Sequence, residues 1–313
     1  MAIFVSVIGT TLLANSVLAD TAKQSVSGVQ MLSEENKNLT LRKGEAIVVT
    51  IPNPPESAAL EVNGEEVDLH PHSQTPNQTS SLTVLANPLA GKPINSVRVR
   101  TQKDSAWETV TLKTIEPSYP HETLSVDPNM VRPPKDVKAQ IAKQRKEIAR
   151  AQAITINNTP LTAPFQMPLK TTKVTSPFGI GRTYNGELKS HHSGVDFRAT
   201  VGTPVFAPHD GVVKMAQFNW YSGGHIIIEH GWGVTTSYFH LSNVKVKPGG
   251  KVKQGELIAE TGETGRVTGP HLHWSVHVQG VPVNPLQFQE DTVRLFEHHS
   301  PDTQKLGKTI TRR

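Results

Sequence analysis

Between residues 171 and 288, short runs rich in β-branched residues alternate with glycine-containing turns, and no extended helical period interrupts them. The runs "GTPVFAPHDGVVKMAQF", "GGHIIIEHG" and "GVTTSYFHLS" are examples. Short strands joined by tight turns bury their apolar faces by pairing with each other and packing sheet on sheet. This half of the chain is therefore predicted to form an antiparallel β-sandwich or a barrel-sandwich-like domain.

The first part of the chain is also predicted to be β-structured, so the whole protein is expected to be mainly β. The runs "AIVVTIP" (46–52), "SVRVR" (96–100) and "WETVTLKTI" (107–115) have strand composition. Asn63-Gly64, between alternating flanks, predicts a two-residue hairpin because both residue types tolerate positive φ. Short strands at this spacing over residues 20–118 predict a small, immunoglobulin-like β-sandwich.

Residues 119–170 are predicted to connect the two β domains. Pro133-Pro134 precedes "KDVKAQIAKQRKEIARAQ", in which spaced apolar residues mark one stripe of a helix whose other face is basic. We interpret that basic face as solvated rather than as a wall-binding or membrane patch. The proline-rich segment 157–170 predicts an extended linker, which leaves a second domain at 171–290 and a polar, basic tail at 291–313.

The first nineteen residues have the pattern of a cleaved export signal. Residues 2–14 are apolar, and Val17-Leu18-Ala19 is a small-x-small cleavage pattern, although a positively charged start is missing. A buried N-terminal helix is the alternative. Since no later stretch is long enough to span a membrane, the cleaved protein is expected to be exported, most simply to the periplasm, without a membrane span.

Charge and composition limit the partners and the metal chemistry. The formal net charge of +5 suits anionic wall polymers through long-range attraction. The basic residues are dispersed and form no nucleic-acid-binding motif, so a nucleic-acid partner is not expected. The chain contains no cysteine, so any metal must be held by nitrogen and oxygen ligands.

The segment "GPHLHWSVHV" (269–278) places several histidines on one face of a predicted strand. Apolar residues occupy the alternate positions, so His271, His273 and His277 share the other face. His271 and His273 would lie roughly 7 Å apart, whereas His277 is too far along the strand to reach the same ion. This face is either a polar surface without special chemistry or the lining of a metal site.

Two other stretches also concentrate metal-binding or acid–base residue types. In "HHSGVDF", His192 and Asp196 are four residues apart and Gly194 permits a bend between them, while "SYFHLS" contains His240. Imidazole nitrogen favours zinc over calcium or magnesium, although manganese and iron accept similar ligands. Two histidines and one carboxylate would leave one tetrahedral position open, as in catalytic zinc sites.

The order of these motifs resembles that of a known family. "SPFG", "HHSGVDF", "GTPVFAPHDGVV", "IIIEHG", "YFHLS" and "TGPHLHW" resemble the signature of the lysostaphin-like (LytM-like) M23 zinc metallopeptidases, which cleave peptide bonds of bacterial peptidoglycan. The resemblance covers roughly residues 171–288, and its motifs are specific in combination although HxH alone is weak. The upstream β domain and basic helix are similar to exported members from Gram-negative bacteria.

The resemblance implies a site. It implies one zinc ion held by His192, Asp196 and His273, with zinc-bound water as the nucleophile. His240 and His271 would flank that water, one as general base and the other stabilising the oxyanion, and which does which stays open.

The implied function is a metalloendopeptidase that hydrolyses cross-links or stem peptides of peptidoglycan. Tyr184, in "GRTYNGE", lies where some members place a substrate-contacting tyrosine, and an exposed loop tyrosine is the alternative. The N-terminal domain or the 157–170 linker could also inhibit the enzyme by filling the open metal position.

Two alternative hypotheses assign the protein to a functional class other than an enzyme that cleaves peptidoglycan. A non-catalytic module of the same fold could bind peptidoglycan or activate an amidase, although filling of all five family positions argues against it. The segment "VKPGGKVKQGELIAETGETG" also resembles biotinyl or lipoyl carrier domains, with Lys214 as a candidate attachment site. A carrier, however, has no use for HxxxD and HxH.

Overall fold

A computed structural model describes residues 38–297, apart from 53–57, 68, 76–77, 87, 90, 101–105 and 154–160. The predicted signal segment and residues 298–313 of the predicted tail lie outside the described residues. The described part is mainly β, as expected from the sequence. None of its helices is long and apolar enough to cross a membrane.

The N-terminal part contains two sheets with a common core. One sheet has the order β1-β8-β7-β3-β4 and the other β2-β6-β5, and the strands are β1 Asn38–Arg42, β2 Ala46–Pro52, β3 Ala59–Val62, β4 Glu65–Val67, β5 His70–Thr75, β6 Gln78–Ala86, β7 Ser96–Arg100 and β8 Glu108–Ile115. Buried Ile47 and Val49 from the second sheet pack with Leu60, Val97 and Val99 from the first. The predicted small β-sandwich is therefore present.

The Asn63-Gly64 hairpin has the predicted geometry. Both residues adopt positive φ, 52° at Asn63 and 87° at Gly64, and they join β3 to β4 in antiparallel register. A two-residue turn of this hand matches the twist of the strands it connects, which explains the preference for Asn-Gly.

A short connecting region follows the sandwich, with strand β9 at His121–Leu124, a 3-10 turn at Pro128–Met130 and helix α1 at Lys138–Gln152. Buried Ala151 and partly buried Ile148 pack α1 against Met215 and Ile227 of the second domain. The basic residues of the helix are exposed. The helix therefore lies on the second domain by its apolar side and keeps a solvated basic face.

The second domain is built on one ten-stranded sheet in which every pairing is antiparallel. The central strand order of this sheet is β10-β13-β20-β17-β16-β15-β18. The elements of the whole domain, in chain order, are β10 Val174–Ser176, β11 Gly181–Tyr184, β12 Leu188–His191, β13 Val195–Arg198, β14 Pro204–Phe206, β15 Gly211–Asn219, β16 Gly223–Gly231, β17 Val234–Val244, β18 Lys251–Val252, β19 Leu257–Thr261, β20 His271–Val278, β21 Val281–Val283 and helix α2 Pro285–Glu297. Strands β9, β11 and β12 form a separate three-stranded sheet beside it.

Two segments that flank this sheet add to its core. In the predicted linker, Leu161, Phe165 and Leu169 are fully buried in that core. At the other end, α2 buries Phe288 and Leu295 in the same cluster.

The predicted boundary between residues 290 and 291 is wrong, because α2 continues to Glu297 and Asp291 is buried. The polar composition of the tail obscured an amphipathic helix that begins at Pro285 and presents its apolar residues at helical spacing.

The position of Lys214 does not suit a carrier lysine. It lies inside β15, and its Nζ is 3.2 Å from Glu229 Oε2. A carrier lysine needs the tip of a tight hairpin, so nothing about this residue favours the carrier hypothesis.

Candidate metal centre

The pairing of β13 with β20 brings together residues that are far apart in sequence. Asp196 lies directly opposite His273 in this antiparallel register, and side chains of directly paired residues point to the same face of a sheet. His273 Nδ1 is 2.8 Å from Asp196 Oδ1. Strand alternation places His271 two residues earlier on the same face.

His192 completes a cluster of three ligand-type atoms. It follows β12, and its backbone N–H donates to the carbonyl of Ile180 at 2.8 Å. Its Nε2 lies 3.0 Å from Asp196 Oδ1 and 2.9 Å from His273 Nδ1. Among the described residues, His192, Asp196 and His273 are the one group of three whose ligand atoms converge in this way, and all three are buried.

The hydrogen bonds behind the cluster determine which ring nitrogens face it with a lone pair. His192 Nδ1 lies 2.8 Å from the carbonyl oxygen of Pro177, which can only accept, so Nδ1 carries the proton and Nε2 presents a lone pair. His273 Nε2 lies 2.7 Å from Ser275 Oγ, a suitable acceptor for Nε2–H. Such outer partners typically orient histidines that ligate a metal. Lone pairs facing a carboxylate at 3 Å fit a shared cation.

Arg182 holds the other oxygen of the aspartate. Its Nη2 is 2.6 Å from Asp196 Oδ2, and its Nε is 2.6 Å from Glu122 Oε1. Burial by itself raises the pKa of Asp196, but His192 and His273, when they carry a proton on the nitrogen that faces it, outweigh burial and hold that pKa well below its usual range. The carboxylate is therefore ionised, with one oxygen directed to the histidines and one to Arg182.

His240 reaches the same cleft through a β-bulge in β17. Gly224 pairs with Leu241 and Ile226 pairs with Tyr238, so two residues of β17 oppose one residue of β16. His240 has φ 64°, a left-handed conformation that is costly for a non-glycine residue and often occurs at functional sites. The bulge redirects the imidazole toward β20, where its ring centre lies 4.7 Å from that of His271.

The two flanking histidines have similar environments. His240 Nδ1 lies 2.8 Å from the Thr264 carbonyl oxygen, and His271 Nδ1 lies 2.8 Å from the Gly269 carbonyl oxygen. In each neutral ring the proton is therefore on Nδ1, and Nε2 can accept a proton. Burial, and then the neighbouring His271 and His273, lower the pKa of His240 well below its usual value. His271 Nε2 lies 3.8 Å from Asp196 Oδ1, beside the cluster rather than within it.

All five predicted histidine and aspartate side chains line one cleft of about 510 Å³. Tyr184 lines it as well, but it is a buried residue of β11, not an exposed loop tyrosine. Arg182 and Glu122 also line the cleft, and neither was predicted from the sequence. No spacing rule links either residue to Asp196, so the sequence carries no signal by which to find them.

The part of the chain that carries these side chains is similar to a known protein family. The profile of Peptidase family M23 matches residues 190–285, which include all five predicted catalytic and metal-binding positions. Residues 190–285 therefore belong to peptidase family M23. ShyA and ShyC of Vibrio cholerae, each named a peptidoglycan DD-endopeptidase, are 48% identical over 96 residues and 43% identical over 120 residues.

Outside residues 190–285, the similarity of this chain to known proteins is a similarity of fold. The matched regions cover 31% and 38% of this chain but 22% and 28% of ShyA and ShyC, so the chain matches less than a third of each relative. A crystal structure of a Pseudomonas aeruginosa protein assigned to family M23 covers 79% of this chain and 94% of its own, with TM-score 0.56 and 24% identity. At 79% of this chain, that likeness in fold extends well beyond residues 190–285.

Gly194 lies at a bend, as the sequence predicts, and a side chain there would also lack space. Its φ is not in the left-handed region, but a Cβ built on it would lie 2.7 Å from His273 Cε1 and 2.6 Å from Ser275 Oγ. Gly194→Ala is therefore expected to displace the His273 ring and weaken metal binding by roughly the 10–100-fold that loss of a ligand's supporting partner costs. Competition with a chromogenic chelator would measure this.

The matched control is Gly186→Ala, at a turn where an added Cβ meets nothing within 4 Å but φ is +76°. This variant shows the effect of backbone strain alone, because its added Cβ does not crowd the ligand cluster of His192, Asp196 and His273. Equal metal affinity in the Gly194→Ala and wild-type proteins would contradict the spatial role of Gly194.

Segments that precede α1 form one wall of the cleft. Strand β9 pairs in parallel with β11, and Glu122, Leu124 and Val126 line the cleft. The described part of the predicted linker, residues 161–170, does not line it. The inhibition hypothesis remains a prediction, and the segment best placed for such a role is the one around β9.

Proposed function

We propose that this protein is an exported, zinc-dependent endopeptidase that hydrolyses peptide bonds in bacterial peptidoglycan. The observation that carries the proposal is the convergence of two imidazole lone pairs and one ionised carboxylate oxygen within 3.0 Å of one another, at the floor of a cleft lined by two further histidines.

The residues present suit a zinc ion. His192 Nε2, Asp196 Oδ1 and His273 Nδ1 would hold it, and a set of two imidazoles and one carboxylate is typical of catalytic zinc. When bound, zinc would supply Lewis-acid polarisation of a peptide carbonyl and a lowered pKa for water. Arg182 keeps Asp196 Oδ2 engaged, so that one oxygen of the carboxylate is left for the metal.

His240 and His271 would perform the proton transfers. In its neutral form, each has a protonated Nδ1 bound to a backbone carbonyl and an Nε2 that can accept a proton. One would take a proton from the attacking water and pass it to the leaving amine. The other, once protonated, would donate from Nε2 to the carbonyl oxygen as negative charge develops there. The arrangement is compatible with either assignment.

The substrate assignment rests on the relatives. ShyA and ShyC are named peptidoglycan DD-endopeptidases, and the net charge of +5 suits an anionic wall polymer. We therefore propose cross-linked stem peptides as the substrate and the periplasm as the compartment.

Digestion of purified sacculi would test this function. We expect the 313-residue chain to release peptides cut at cross-links, identified by mass spectrometry of the soluble fragments. Chelation should stop the release, and one equivalent of zinc, but not magnesium, should restore it because the ligand set is rich in nitrogen. Binding to sacculi without cleavage in the presence of zinc would support the non-catalytic module instead.

A further inference from the structure

Arg266 lies in the cleft in a position determined by two tyrosines. Its guanidinium carbon lies 4.2 Å from the ring centre of Tyr184 and 5.0 Å from that of Tyr221. Its backbone N–H donates to the Tyr221 carbonyl at 2.8 Å. Stacking of this kind uses the face of the guanidinium and leaves its in-plane N–H donors available to a ligand.

The loop that carries Arg266 is held closely against the neighbouring turn. Gly265 has φ +78°, and a Cβ there would lie 2.5 Å from the Tyr221 carbonyl oxygen. One residue earlier, the Thr264 carbonyl accepts the hydrogen bond from His240 Nδ1. The same loop therefore positions Arg266 and one of the two histidines proposed for proton transfer.

The positive charge of Arg266 is not neutralised within the cleft. Among the described residues, no carboxylate oxygen lies within the 4.0 Å ion-pair distance of its guanidinium. The cleft is lined by three arginines and two carboxylates, and Arg182 binds both of those carboxylates. The side chains that line the cleft therefore carry a net formal charge of +1 before any metal is counted, and this charge favours an anionic ligand.

We propose that Arg266 binds a free carboxylate of the substrate and so selects peptides that carry one beside the scissile bond. The proposal deepens the proposed function and rests on it. A planar guanidinium accepts a carboxylate through two parallel N–H bonds, and prior stacking on Tyr184 and Tyr221 reduces the entropy lost on binding.

This assignment distinguishes two classes of cross-link. In a cross-link through diaminopimelate, the carbon that bears the acylated amine also bears a carboxylate. A glycine bridge offers no charged group at that place. Arg266 therefore favours the first class, and amidation of that carboxylate should remove the preference.

The test compares two synthetic cross-linked peptides that differ only in a free or an amidated carboxylate on the amine-donating residue. We expect wild-type protein to prefer the free acid. Arg266→Gln should lower kcat/KM for the free acid by roughly 10- to 100-fold, the usual range for a lost charge-assisted hydrogen bond, and should leave the amide almost unchanged. Arg266→Lys, which keeps the charge, should recover part of the loss.

The control is Arg145→Gln, which removes the same charge from the exposed face of α1 and should change neither rate. Equal losses on both peptides would show that Arg266 only supports the cleft. The absence of loss on either peptide, or equal wild-type rates on both, would also overturn the proposal.

A binding measurement separates this proposal from the proposed function. Titration calorimetry of both peptides with the His271→Ala protein measures binding in the absence of turnover. Adding the Arg266→Gln substitution to this variant should weaken binding of the free acid by at least about tenfold. If wild-type protein cleaves neither peptide but this difference in binding holds, the endopeptidase proposal fails and carboxylate recognition stands. If binding shows no difference, carboxylate recognition fails.

Discussion

His273→Ala is expected to abolish zinc binding and peptidoglycan hydrolysis together. The variant removes one of three ligand atoms that lie within 3.0 Å of one another. Zinc affinity should therefore fall by far more than the roughly 10–100-fold that loss of an outer hydrogen-bond partner costs. Zinc content after dialysis and fragment release from sacculi are the two measurements.

The matched control for this variant is His277→Ala. His277 is buried on the same face of β20, but its Nε2 lies 3.3 Å from Gln152 of α1 and it is not part of the ligand cluster. Its loss should leave stoichiometric zinc in place. Stoichiometric zinc with wild-type affinity in His273→Ala protein would show that the cluster is not the metal site.

His271→Ala is expected to retain zinc and lose turnover. Its Nε2 is 3.8 Å from Asp196 Oδ1 and its Nδ1 is bound to a backbone carbonyl, so it lies beside the metal ligands without belonging to them. We expect kcat to fall by about 10²–10⁴-fold, the usual contribution of a positioned general acid or base, with little change in KM. Steady-state kinetics on a defined cross-linked peptide, together with zinc analysis of the same sample, would measure both effects.

Thr268→Ala serves as the control, because Thr268 is exposed and lines the same cleft without a titratable group. Its kcat should stay near that of wild type. Wild-type turnover by the His271→Ala variant would remove His271 from the mechanism and leave His240 as the one candidate for proton transfer.

His273→Ala and His271→Ala are expected to differ in zinc content because the five side chains of the site fall into two sets. Those that converge within 3.0 Å would bind the ion. The two that lie outside that cluster, each with Nδ1 on a backbone carbonyl and Nε2 able to accept a proton, would serve the reaction. Loss of the first kind should remove the metal, and loss of the second kind should leave a loaded but slow enzyme.

Local features of the fold could be predicted from the sequence, because they depend on periodicity and on single-residue preferences. Strands β2 and β7 have the predicted bounds, 46–52 and 96–100, and Asn63-Gly64 forms the predicted turn. Alternation along β20 places His271 and His273 on one face. The absence of cysteine restricted any metal site to nitrogen and oxygen ligands.

Features that require distant segments to meet could not be predicted. The burial of Phe288 and Leu295 of helix α2 depends on how that helix packs on the sheet. The left-handed conformation of His240 depends on how β17 pairs with β16, and nothing in "SYFHLS" indicates it.

The amino-acid sequence by itself determined that both domains are mainly β, which residue types could bind a metal, and which histidines share a face of β20. Tertiary structure alone decided the register that places Asp196 opposite His273 and the contacts of Arg182 with Glu122 and Asp196. It also decided the stacking of Arg266 on its tyrosines. The physical reason is range: alternation and turn preference act over a few residues, whereas pairing and charge neutralisation join groups that only the folded chain brings within a few ångströms.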